Sequence, residues 1–441
     1  MAGVGGMAEA LELRIKERSA QVGLIGLGYV GLPLAVAFGK AGFLVTGVDV
    51  DPRKVQRLRA GESPVEDVKS DDLATLVAAR RLTVTSDSRA LALADAIIIC
   101  VPTPLGKHKE PDITHIVAAA EAVAGILRPG HLVVLESTTY PGTTQEVLLP
   151  RFAARNLRVG EDFFLAFSPE RIDPGNKKYD LRMIPKVVGG VTPACGRLTQ
   201  LLYSQIIDRV VPVSGPRVAE MVKLFENIFR SVNIALVNEL AIMCRRLGLS
   251  VWEVIDAAAT KPFGLLPFYP GPGIGGHCIP VDPYYLAWKA RLAGYEPKFM
   301  NFADEINSQM PLYVVGLVAE ALEGRGKTVR GADILVLGVA YKAGVGDTRE
   351  SPALEILEHL IEKGAQVAFT DPHVPALTLN GKPMVSVQRE ALNLPSRDLV
   401  LILTDHPEFD YERVVRESAL VVDTRNATGR VSAPRPHVIT L

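Results

Sequence analysis

Short apolar runs that stop at a glycine, a proline or a polar residue recur along this chain. Val22-Gly-Leu-Ile-Gly26, Leu44 to Val48, Ala96-Ile-Ile-Ile-Cys-Val101, Leu132 to Leu135 and Phe163 to Phe167 form a first set. A second set follows Gly331: Ala332 to Gly338, Gln366 to Phe369, Asp398 to Leu403 and Leu420 to Val422. Runs of this kind read as strands buried on both faces, as in parallel sheets covered by helices, and they are far too short to span a bilayer. Between the sets the period changes. Arg217 to Leu247 lacks glycine and proline and predicts one long helix, interrupted by Lys223, Asn227 and Ser231 on a shared face. The order predicts an α/β protein with two Rossmann-like, doubly wound parallel-sheet domains joined by a central helical domain. The expected boundaries are an N-terminal extension over 1–20, a first α/β domain over 21–205, the helical domain over 206–330 and a second α/β domain over 331–441.

Composition narrows the partners. The 441 residues are too many for one small core, and a formal net charge of -1 without a basic block predicts neither nucleic acid nor a membrane surface as partner. Cys100, Cys195, Cys244 and Cys278 show no metal-like spacing and follow no secretory signal, so a disulfide framework or metal site is not expected and a cytoplasmic location is.

The first strand runs into Gly26-Leu-Gly-Tyr29-Val30-Gly31, a helical pattern and a second strand that delivers Asp49. In that order these features are a dinucleotide fingerprint. Gly26 makes the tight turn, Gly28 admits the pyrophosphate to the backbone, Gly31 permits close helix–strand packing, and Tyr29 and Val30 complete the turn. Asp49 accepts from ribose hydroxyls and repels a 2'-phosphate, so NAD is expected over NADP. Arg53, just beyond it, is read as stacking on adenine or neutralising a phosphate. Later strands deliver Thr103, Thr139 and Glu170 to the carboxyl edge of the sheet, where the ligand crevice of an open α/β sheet lies, although each also suits a helix cap.

Two further features carry chemistry. Lys223 and Asn227 on an apolar helix are either a solvated stripe or the lining of a cleft in which a cation stabilises an oxyanion. A helix this apolar also predicts a homo-oligomer. Gly271-Pro-Gly-Ile-Gly275-Gly-His-Cys278-Ile-Pro-Val-Asp282 is a loop expected to approach a ligand closely, with Cys278 as nucleophile or as a structural cysteine.

Together, Gly26 to Pro33, Val101-Pro-Thr-Pro104, Ser137 to Gly142, Ser168-Pro-Glu170, Gly275-Gly-His-Cys278 with Asp282, and Tyr341-Lys342 through Arg349-Glu-Ser-Pro352 resemble the UDP-glucose/GDP-mannose dehydrogenase family, in the family's order. The resemblance implies NAD-dependent, four-electron oxidation of a UDP-sugar C6 hydroxyl to a carboxylate. A Cys278 thiolate adds to the intermediate aldehyde, the thiohemiacetal is oxidised to a thioester, and water releases the product. It implies that Lys223 and Asn227 hold the C6 oxygen, that Asp282 orients water, and that Glu170 and Thr139 assist proton transfer and hydrolysis. Thr103, Thr139 and Arg349 match cofactor-side positions. Lys342, Gly275, Tyr269 and, reaching a neighbouring subunit's substrate, Lys261 match the substrate side.

The loop is most similar to that of the branch acting on UDP-N-acetylglucosamine. UDP-N-acetylmannosamine enzymes share its Gly-Gly-His-Cys core, while His277 and Tyr269 depart from the UDP-glucose branch. Two other classes compete: a single-step hydroxyacid dehydrogenase, which needs no Cys278, and a non-catalytic NAD-binding regulator.

Overall fold

The computed structural model describes residues 6–65, 67–106, 109–172, 178–276 and 279–441. The chain forms two compact units, Met1–Glu226 with Tyr284–Tyr295, and Asn227–Pro283 with Glu296–Leu441.

The first unit holds an eight-stranded sheet: β1 (Gln21–Ile25), β2 (Leu44–Val48), β3 (Leu82–Thr85), β4 (Ala96–Ile99), β5 (Leu132–Leu135), β6 (Phe164–Phe167), β7 (Lys186–Gly190) and β8 (Val210–Val213). Its order is β3-β2-β1-β4-β5-β6-β7-β8, and the reversal of strand order beside β1 marks the switch point at which such sheets bind ligands. Every residue of β4, β5 and β6 is buried because helices cover both faces, which is why these segments are uninterrupted apolar runs. The first six strands are parallel, as expected, but β7 runs antiparallel to β6 and β8 follows β7. A parallel return needs a crossover of a dozen residues or more, usually helical. Among the described residues, the segment from Ser168 to Pro185 contains no helix. The helix Gly6–Lys16 belongs to this unit's core, with Leu11 and Ile15 buried among Leu198, Leu202 and Tyr203.

The second unit holds a five-stranded parallel sheet, ordered β10-β9-β13-β14-β15, built from β9 (Asp333–Leu337), β10 (Gln366–Thr370), β13 (Leu399–Ile402), β14 (Val421–Asp423) and β15 (Val438–Thr440). A hairpin of β11 (Ala376–Leu379) and β12 (Lys382–Val385) turns at Asn380-Gly381, both with positive φ. The long helix spans Pro216–Leu247 and contributes residues to both units. Its Val237, Ala241 and Cys244 pack with Met310, Val314 and Val318 of the helix Lys298–Glu323. Val218, Met221, Phe225, Phe229 and Leu236 lie exposed along it.

Candidate active site

The turn after β1 divides its labour among three glycines. Gly26 adopts φ +91°, and a Cβ there would lie 2.4 Å from the Cys100 carbonyl oxygen. A Cβ on Gly31 would lie 1.9 Å from the Gly26 oxygen, so both positions are required by the fold. At Gly28 a Cβ would meet nothing within 4 Å. Tyr29 and Val30 complete the turn, and Val30 gives the helix Gly31–Lys40 no side-chain cap; the Leu32 N–H is taken by the Gly28 carbonyl and Pro33 has none, which leaves the Gly31 N–H for an anion.

Asp49 closes this cradle. Its Oδ2 accepts from the Leu27 N–H at 2.9 Å and from Lys54 Nζ at 2.8 Å, and its Oδ1 accepts from the Asp51 N–H at 3.0 Å. Burial works to raise its pKa, but Lys54 and the two N–H donors outweigh it and hold the carboxyl below its usual range. The basic side chain on Asp49 is thus Lys54, which sequence reasoning passed over. Arg53 is exposed, and its N–H bonds the capping side chain of Asp51. Open space at Gly28, an uncapped helix start and an ionised acid after β2 together fit a dinucleotide.

Three loops meet the same sheet edge in this unit. Thr103, after β4, is half-buried. Thr139, after β5, is buried, with its Oγ1 2.7 Å from that of Thr143. Thr143 donates its proton to the Tyr140 carbonyl, so Thr139 must donate to Thr143 and keeps only lone pairs for anything else. Glu220 of the long helix clamps the loop, accepting from the N–H groups of Gly142 and Thr144 and from the Thr144 hydroxyl at 2.6, 2.9 and 2.7 Å. Glu170, after β6, is buried. It accepts from the N–H groups of Arg171 and Ile172, both at 2.6 Å, and from Lys186 at 3.1 Å. Burial pushes this carboxyl up, yet Lys186 and the N–H donors hold it below the usual range, so it is an anion. Sequence reasoning missed Glu220 and Lys186, whose partners lie far away in the chain.

The long helix places Lys223 and Asn227 one turn apart, and both are buried along with Ser231, which removes the solvated-stripe alternative. In the second unit Asn227 donates through Nδ2 to the carboxylate of Asp282, itself buried. His277 and Cys278 lie outside the described residues. The glycines of the loop before them seat it closely on residues 341–352. A Cβ on Gly275 would lie 2.7 Å from both the Glu350 oxygen and Tyr341 Cβ, and Gly276, at φ +88°, lies against the Tyr341 ring. Its start is tied down by buried amides. The Gly271 N–H donates to Asn238, Asn238 to Asn307, and Asn307 to the Ser231 carbonyl, at 3.0, 2.9 and 3.1 Å.

Of the remaining positions, Tyr269 stacks on Trp252 and donates to Asp256 at 2.7 Å, while Lys261 lies over the Phe263 ring. Arg349 pairs with Asp347, and Lys342 is half-buried. His373, His406 and Glu408 lie close enough to share an ion, but both His406 nitrogens are engaged. The Gly344 N–H donates to its Nδ1, so its Nε2 carries the proton offered to Asp371 and no lone pair remains for a metal.

Residues 20–207, 217–309 and 335–430 match, in order, the NAD binding, central and UDP binding domains of the UDP-glucose/GDP-mannose dehydrogenase family. The chain belongs to this family. It is 40% identical over 363 residues to a UDP-N-acetyl-D-glucosamine 6-dehydrogenase of Pseudomonas aeruginosa, covering 81% of this chain and 84% of that protein. A UDP-N-acetyl-D-mannosamine dehydrogenase of Pyrococcus horikoshii is 35% identical over 412 residues, 92% of this chain and 95% of its own. A solved UDP-ManNAc dehydrogenase structure from Pyrococcus horikoshii superposes with a TM-score of 0.85 at 33% identity, covering 95% of this chain and 98% of that one. As a family member the protein is an NAD-dependent nucleotide-sugar dehydrogenase, an oxidoreductase acting on a CH–OH group. Among the described residues, no helix is long and apolar enough to cross a membrane.

Proposed function

We propose that the chain oxidises the C6 hydroxyl of UDP-N-acetylglucosamine to the carboxylate in two two-electron steps through a thioester on Cys278. The observation that carries this reading is the buried hydrogen bond from Asn227 to Asp282, which ties the helix bearing Lys223 to the residue four positions after Cys278. NAD, held by the Gly26–Gly31 turn and Asp49 with Thr103 and Arg349 on its side, supplies the hydride acceptor for each oxidation.

This chain's own groups do the rest. The second amide proton of Asn227 and the Lys223 ammonium hold the C6 oxygen as negative charge develops. The Cys278 thiolate adds to the aldehyde carbon, and after the second oxidation water displaces the thiolate from the thioester. Asp282 orients that water, and Glu170 and Thr139 accept hydrogen bonds along the proton's path. Lys342, Lys261, Tyr269 and Gly275 serve the nucleotide sugar, with Gly275 acting through the seat of its loop.

The exposed row Val218, Met221, Phe225 and Phe229 supports a homodimer formed along the long helix. Phe225→Glu should then shift the mass in solution from dimer to monomer. Two-step chemistry requires two NADH per sugar and a product heavier by one oxygen and lighter by two hydrogens. A panel of UDP- and GDP-sugars, followed by absorbance and product mass, tests this. One NADH per sugar would refute the two-step chemistry. Preference for UDP-N-acetylmannosamine or UDP-glucose would refute the sugar assignment alone.

A further inference from the structure

Behind Glu170 lies a buried charge cluster that the proposed chemistry does not use. Lys186 Nζ donates to Glu136 at 2.7 Å and to Glu170 at 3.1 Å, and the Tyr203 hydroxyl donates to the other oxygen of Glu136. All four side chains are buried. The topology explains how they meet. Glu136 and Glu170 follow the carboxyl ends of β5 and β6, whereas Lys186 is the first residue of β7. Because β7 runs antiparallel to β6, its amino end lies at the edge where those strands finish.

One ammonium faces two carboxylates, so the cluster carries a surplus negative charge unless one of them is protonated. The carboxylates are not equivalent. Burial, reinforced by Glu170 and only partly offset by Lys186, pushes Glu136 up to about 7, whereas Glu170 stays below its usual range. Burial opposes the charge on Lys186, but the two carboxylates outweigh it and push its pKa up. Among the described residues, the other titratable groups facing the cluster are Tyr203 and Cys100, both raised by burial and by Glu136, hence neutral. The Arg171 guanidinium is turned to Glu226 and the Pro185 carbonyl. A carboxylate has about four acceptor positions. Described residues fill three on Glu170, two on Oε1 and one on Oε2, the oxygen that Lys186 grips.

We propose that Lys186 is a positioning residue: it fixes Oε2 of Glu170 as the oxygen through which Glu170 accepts a proton or orders a water, while Glu136 and Tyr203 hold Lys186 in place. This rests on the reading of Glu170 as a participant in turnover. Glu136 takes up the surplus proton and so spares Glu170 from protonation as pH falls.

The experiment compares Lys186→Met/Glu136→Gln, which removes one charge of each sign, with Lys186→Arg and Glu170→Gln, by Tm, kcat, KM and the pH dependence of kcat. The double variant is expected to keep Tm within a few degrees and KM for the nucleotide sugar within about twofold, because neither residue is placed against substrate. Its kcat should fall roughly tenfold or more at pH 7, with the acid limb displaced to higher pH as Glu170 loses its ammonium. Lys186→Arg should restore most of the rate and the original limb. A double variant with wild-type kcat and pH profile, while Glu170→Gln is inactive, overturns the role of Lys186 and leaves that of Glu170 standing. An active Glu170→Gln overturns the reading of Glu170 and this inference with it. A double variant that no longer folds assigns Lys186 to the fold and overturns the proposal as well.

Discussion

Alanine at Gly28 and alanine at Gly31 should fail in opposite ways, although the two positions are one turn apart. At Gly31 the added Cβ lies 1.9 Å from the Gly26 carbonyl oxygen, a backbone atom that cannot rotate away. Helix and strand must separate, and overpacking of this kind costs about 3 kcal/mol or more. For a unit of this size that corresponds to a fall in Tm of roughly 6–12 °C. At Gly28 the φ lies outside the left-handed region and nothing approaches within 4 Å, so alanine is accommodated and restricts the unfolded chain. Stability should stay level or rise by about 0.4–1 kcal/mol. The open space is where the pyrophosphate must come close, so Gly28→Ala should weaken NAD at least tenfold, about 1.4 kcal/mol or more. Differential scanning fluorimetry of the free proteins and calorimetric titration with NADH separate the two outcomes. A Gly28→Ala protein that binds NADH normally, or a Gly31→Ala protein with unchanged Tm, refutes the division of labour.

Three further expectations follow from particular contacts. Cys278→Ser should stop short of carboxylate, with product mass showing no uronate even if the first oxidation yields some NADH; normal two-step turnover would remove Cys278 from the chemistry. Glu220→Ala strands two N–H groups and one hydroxyl, and should cost about 3 kcal/mol in urea titrations, with Glu220→Gln intermediate; a loss under about 0.5 kcal/mol would show that the clamp is incidental. His131 is buried with its Nδ1 accepting from the Arg128 N–H, and burial together with the Arg128 charge lowers its pKa to about 4. The unfolded chain binds this proton near pH 6.5 and the folded chain only near pH 4, so its contribution to stability falls as pH drops through that window, by about 3 kcal/mol. Glu136, raised to about 7, acts with the opposite sign from pH 4.5 upward, so the test is the difference between wild type and His131→Leu. Parallel stability curves between pH 6.5 and 4 would contradict the assignment.

What was legible in the residues follows from range. The strand–glycine–helix–strand–acid order around Gly26 and Asp49 is local, and the structure keeps it within two residues at each boundary. The long helix ends where its glycine-free and proline-free run does and begins one residue before it, at Pro216. The reversal at β7 was not legible, because Lys186-Val-Val-Gly-Gly190 is an apolar run with no mark of direction. Lys54 was passed over in favour of Arg53 because only the angle at which the helix Pro52–Arg59 leaves Asp51 decides which side chain returns to Asp49. Glu136 with Lys186, and Asn238 with Asn307, are paired across stretches of chain that no local period connects. The glycine-rich loop was read as approaching a ligand, and its close contacts with Tyr341, Glu350 and Pro352 were not legible because those residues lie far along the chain.

The long helix has a further consequence, for how the chain can vary between relatives. It is 32 residues, about 48 Å, of unbroken hydrogen-bonded backbone carrying Glu220, Lys223, Asn227 and Asn238 in one phase. Adding or deleting one residue between Asn227 and Asn238 would turn the two asparagines by roughly 100° relative to each other about the helix axis. Asn227 could then no longer meet Asp282 while Asn238 meets Gly271 and Asn307. The Asn380-Gly381 turn of the small hairpin, by contrast, absorbs added length at little cost. Length change among relatives should therefore gather at such turns and be absent from this one helix, whose register acts as a ruler.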